Sequence, residues 1–133
     1  MKGMEKPVLS EREEHVARMI VDSAYHVHKT LGPGLLERVY EVCLCHELQK
    51  RDLHCQRQVA VPIMYDDITF EEGFRIDVLV EDLAIVEIKA VTMLYPIFEA
   101  QLLSYMKLTN MRLGFLINFH VTLIKRGINR FVL

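Results

Sequence analysis

The chain has 133 residues, 51% of them hydrophobic, with a formal net charge of −2 and a pI near 6.3. That length holds about one domain with a sizeable core. The near-neutral balance excludes a protein that coats nucleic acid by bulk charge, so any such binding must be local.

Residues 1–9 read as a short tail, and residues 10–133 as a single domain. Ser10 with Glu13 is a capping-box signature, and Val16, Met19, Ile20, Ala24, Val27 and Leu31 recur at helical spacing, which predicts a helix from about Ser10 to Leu31. Gly32-Pro33-Gly34 stops it. A second helix is predicted from Leu35 to Arg51 with Leu36, Val39, Cys43 and Leu44 facing inward. From Gln56 the pattern turns strand-like. Val59 to Tyr65, an Asp66-Asp67 turn and Ile68 to Val80 read as a hairpin, and Pro62 marks its first arm as an edge or kinked strand. After Glu81-Asp82, the run Leu83 to Val91 reads as a buried strand. Pro96 suits the first turn of a helix to about Leu108, Arg112 to Phe119 returns as an apolar strand, and Ile128 to Leu133 closes the chain as a shorter one. Strands interleaved with helices in this way imply an α/β sandwich with a central mixed sheet.

No run approaches the roughly 18 apolar residues of a membrane span, and the start, Met1 to Glu14, is charged. A soluble, cytoplasmic protein with no membrane partner is therefore expected. Cys43, Cys45 and Cys55 make an odd count without a Cys-x-x-Cys pair, and reduced core thiols are the expectation. On a helix Cys43 and Cys45 diverge by about 200°, too far to chelate one ion, and His26 and His28 fail in the same way.

The chemistry concentrates in the third strand. Glu87 and Lys89 interrupt an apolar run, and burying unpaired charge costs several kcal/mol, so their presence needs a reason. Two positions apart, they share one face of a strand. Asp77 precedes Glu87 by ten positions. An acid pair suits a divalent cation, and a nearby ammonium suits stabilisation of negative charge, which outlines a metal-dependent phosphodiesterase. The outline depends on register. A two-residue loop at Glu81-Asp82 would send Asp77 and Glu87 to opposite faces, whereas a three-residue loop, Glu81-Asp82-Leu83, or one bulge sets them opposite each other. The second register is expected.

Asp77, Glu87-Ile88-Lys89 and the helix after them resemble the PD-(D/E)XK nuclease superfamily, and Gln101-Leu102-Leu103-Ser104-Tyr105 resembles the Gln-x-x-x-Tyr element of its RecB-like branch. Gly34-Leu35-Leu36-Glu37-Arg38-Val39-Tyr40 is similar to the signature of the small GxxExxY family, and the likeness runs from about Val16 to Val132. The resemblance implies a restriction-endonuclease-like α/β sandwich and a nuclease that hydrolyses nucleic-acid phosphodiesters, with DNA the favoured substrate. It also implies Mg²⁺ or Mn²⁺ held by Asp77, Glu87 and Glu37, with Lys89, Gln101 and Tyr105 completing the catalytic set. Two departures stand out: no proline precedes Asp77, and Phe98 stands where histidine is expected in many relatives.

Plainer readings exist for each residue. Glu37 suits a first helical turn by the helix dipole, worth roughly 0.3 to 1 kcal/mol. Asp77 suits a strand end or an ion pair with Arg75, and Gln101 and Tyr105 suit backbone capping and packing. Arg112, Lys125, Arg126 and Arg130 fit either a basic rim for phosphates or an ordinary solvated face. At the level of the whole chain the alternatives are a non-catalytic module binding nucleic acid or a protein on the same fold, and a homodimer or other assembly through the Arg112 to Phe119 strand or the edge near Pro62.

Overall fold

The computed structural model describes residues 8–133, with Glu72 described by its backbone alone. Most of the expected tail lies outside the described residues. Helix α1, Glu11–Leu31, starts on the capping box: Ser10 Oγ accepts from the Glu13 amide at 3.1 Å, and the Glu13 carboxylate accepts from the Ser10 amide at 2.9 Å. Its buried stripe includes Val16, Ile20, Ala24 and Val27. Gly34 has φ +102°, a conformation that side chains rarely adopt, and the chain turns there into α2, Glu37–Lys50.

Helix α2 is rotated from the expected phase. Leu36 and Val39 are 77% and 37% exposed, and the buried stripe is Tyr40, Leu44, Cys45 and Leu48. The reason lies in the Tyr40 hydroxyl, which donates to Gly32 O at 2.7 Å and accepts from the Leu35 amide at 3.1 Å. With its polar end satisfied, the ring is fully buried and stacks on Phe119 with centroids 4.6 Å apart.

Among the described residues, five strands form one sheet in the order β1-β2-β3-β4-β5: β1 Cys55–Tyr65, β2 Ile68–Val80, β3 Ala84–Lys89, β4 Leu113–Asn118 and β5 Ile128–Val132. Helix α3, Pro96–Thr109, carries the chain between β3 and β4, which run parallel, whereas β1 with β2, β2 with β3 and β4 with β5 are antiparallel. This mixed, open sheet between helices is the restriction-endonuclease-like sandwich. Helices α1 and α2 cover one face over Val78, Val80, Val86, Ile88, Phe115 and Ile117. Helix α3 covers the other, where Leu102 and Met106 pack on Ile76, Ile85 and Leu116. Burial of each such aliphatic side chain stabilises by about 1.5–3 kcal/mol. Strand β1 is an edge with an irregularity between Val61 and Ile63, beside Pro62. Strand β4 bonds to a neighbour on each side, so it has no free edge for a second copy, contrary to the assembly route through Arg112 to Phe119.

The expectation of reduced thiols is also corrected. Cys45 on α2 and Cys55 at the start of β1 form a disulfide with Cα atoms 5.7 Å apart, leaving Cys43 free. Spacing along the chain did not reveal that the end of α2 lies over the first residue of β1. Among the described residues no helix is long and apolar enough to cross a membrane.

Candidate active site

The β2–β3 turn decides the register. The Leu83 amide bonds to Val80 O at 2.9 Å, yet Val80 pairs with Ala84, so Leu83 is the extra residue in the loop. Pairing then runs through Leu79 with Ile85 and Val78 with Val86, which brings Asp77 level with Glu87. At that point the regular ladder stops. The Asp77 amide donates to Glu87 Oε2 at 3.0 Å, and the Ile88 amide donates to Asp77 Oδ2 at 2.9 Å. Each acid thus stands in for a backbone carbonyl of its own strand, and the strands part around a pair of carboxylates.

Glu87 is buried, and its carboxyl pKa is pushed up to about 8, first by burial and then by the charge of Asp77. Two acids so placed resist carrying two negative charges, which a divalent cation would offset. Their donors are all oxygen, as Mg²⁺ and Mn²⁺ prefer, and Mg²⁺ commonly takes only one or two carboxylates, with waters and substrate phosphates filling the rest. The pair therefore fits such an ion. Among the described residues no group of three or more His, Cys, Asp or Glu side chains is gathered for a metal.

Lys89 lies two residues beyond Glu87 on β3, and its Nζ sits 4.5 Å from the centroid of the Phe98 ring on α3. The departure at Phe98 thus places an aromatic face, with no proton to transfer, against the ammonium. Tyr105, one turn after Gln101 on α3, stacks on Phe74 of β2 at 4.0 Å. Burial, then the charges of Glu87 and Asp77, raise the Tyr105 phenol pKa, so it keeps its proton near neutral pH. Gln101 is exposed on the same side of α3.

Helix α2 borders Asp77 across a cleft of about 560 Å³ lined by Glu37, Glu41, Arg57, Gln58 and Asp77, among others. Glu37, the expected third acid, is exposed at the first position of α2 and makes no hydrogen bond to Asp77 or Glu87 among the described residues. The acid that reaches inward is Glu41. It is buried, ion-paired to Arg57 Nε at 3.1 Å, and bonded to the Gln58 amide, which also donates to Asp77 Oδ1 at 3.3 Å. Sequence reasoning missed this residue although it lies one turn after Glu37, on the same helix face.

The basic residues divide. Arg112 pairs with Glu13 at 3.7 Å and Arg130 with Glu14 at 3.0 Å, tying α1 to the sheet, while Lys125 and Arg126 are exposed. Arg75 does not pair with Asp77; its guanidinium donates to Gln58 O at 3.4 Å.

An open mixed sheet with an acid pair and a lysine at the mouth of its central antiparallel strands defines a nuclease-type fold. A family profile described as the PD-(D/E)XK nuclease superfamily matches residues 14–131, and the chain belongs to that superfamily. No curated protein and no solved structure matches it.

Proposed function

We propose that the protein is a nuclease that hydrolyses nucleic-acid phosphodiesters with Mg²⁺ or Mn²⁺, DNA being the favoured substrate. The observation that carries this reading is the reciprocal bonding of Asp77 and Glu87 at the β2–β3 fork, with Lys89 two residues further along β3. Members of the superfamily generally use divalent cations, and here Asp77 and Glu87 would hold the ion. When bound, it supplies Lewis acidity to the phosphate and acidifies a water.

The chain's own groups would do the rest. Lys89 donates hydrogen bonds to the attacking water or to the phosphate oxygens as negative charge grows on them. Gln101 orients the water or the substrate strand, and the protonated Tyr105 hydroxyl contacts a phosphate or base edge. Glu37, at the rim of the cleft, approaches the site through the substrate. Within the superfamily, Gly34 to Tyr40 supports membership of the GxxExxY family, and Gln101 with Tyr105 supports the RecB-like branch.

The test is incubation of the protein and of Lys89→Ala with labelled single- and double-stranded DNA and RNA in Mg²⁺, Mn²⁺ or EDTA. Cleavage that needs metal and is lost in Lys89→Ala, with the circular dichroism spectrum unchanged, is the expected result. Binding without turnover under every condition would instead identify a non-catalytic module on this fold.

A further inference from the structure

We infer that Gln58 is the positioning residue for Asp77, holding its carboxylate in the orientation that receives a cation. The inference rests on the reading of Asp77 as a cation ligand. Gln58 has φ +52° in the middle of β1, although its neighbours Arg57 and Val59 keep regular pairing with Val78 and Ile76. A glutamine in the left-handed region strains a strand, so nothing in the backbone favours it there. Its side chain supplies the reason. The amide nitrogen lies 3.2 and 3.1 Å from the two oxygens of Glu41 and 3.3 Å from Asp77 Oδ1.

Asp77 Oδ2 is already engaged by the Ile88 amide, so the remaining freedom of the carboxylate is a rotation that moves Oδ1. Gln58 restrains that rotation. Its own anchor is firm, because Glu41 is buried and held by Arg57. The chain of contacts runs from α2 through β1 to β2, along the cleft that Glu37 and Asp77 both line. Groups that orient a metal ligand without touching the metal govern affinity by 10- to 100-fold when removed.

Gln58→Gly separates this role from a scaffold role, since glycine accepts the left-handed backbone and lacks the amide. Mn²⁺ binding is measured from the electron paramagnetic resonance signal of free Mn²⁺, alongside thermal melting, for the unaltered chain, Gln58→Gly and the control Asp77→Asn. The expected result is a melting temperature equal to or above that of the unaltered chain, with Mn²⁺ affinity about 10- to 100-fold weaker in Gln58→Gly and lost in Asp77→Asn. Unchanged Mn²⁺ affinity in Gln58→Gly overturns the inference. So does a loss of affinity matched by a fall in melting temperature, which marks Gln58 as a scaffold residue. If the unaltered chain binds no Mn²⁺, the reading of the acid pair itself falls, and the inference with it.

Discussion

Glu87 makes the ion-free protein sensitive to pH in an unusual direction. A carboxyl whose pKa rises from 4.5 to about 8 on folding binds a proton that the unfolded chain has already released between those values. Its contribution is therefore fully present below about 4.5 and lost as pH climbs through 8, with a slope of at most about 1.4 kcal/mol per pH unit. Urea melts in EDTA at pH 5.5, 7 and 8.5 should show stability falling across this window, and Glu87→Gln should flatten the trend. A slope unchanged in Glu87→Gln would assign the titration elsewhere.

At the scale of elements, α3 and β4 meet with no room to spare. A Cβ on Gly114 would lie 2.5 Å from Met106 Sδ and 3.2 Å from Leu102 Cδ1. Gly114→Ala should cost about 1–3 kcal/mol in denaturant melts. Combining it with Met106→Ala should recover part of the difference between the single variants, and a strictly additive double variant would show that the two positions do not clash.

These elements were legible to different degrees. Period-two geometry tied the extra loop residue Leu83 to the facing of Asp77 and Glu87, because a one-residue slip flips a whole strand, but it left two registers open, and the choice between them rested on the acid pair needing one face. The phase of α2 did not follow, since Leu36, Val39 and Cys43 make as good an apolar stripe as Tyr40, Leu44 and Leu48. What breaks the tie is a hydroxyl bonded to a loop carbonyl eight residues upstream. Glu41 was hidden for a related reason: it gains meaning only when Arg57 and Gln58 arrive from the next element. The Cys45–Cys55 link depends in the same way on how α2 is laid over β1.

Across the whole molecule, β1 is the long exposed edge. Its first protection is Pro62, which offers no amide to an incoming strand, and its second is the irregularity beside that residue. Met64, Tyr65 and Ile68 at the hairpin end are 76%, 67% and 60% exposed, so the apolar surface for self-association is there once the edge is restored. Pro62→Thr should raise the apparent mass in light scattering as concentration increases. A mass that stays constant over the same range would show that the edge is guarded by other means.

The fork between β2 and β3 carries one more consequence. Because the amides of Asp77 and Ile88 each bond to one of the two carboxylates proposed to hold the cation, anything that draws electron density from those carboxylates is felt at two backbone protons. They are built-in reporters of occupancy. Titration with Mg²⁺, a diamagnetic ion, should shift the ¹⁵N–¹H resonances of Asp77 and Ile88 ahead of those at Ala84 and Ile85 deeper in the ladder, giving a reading of the site that requires neither substrate nor turnover.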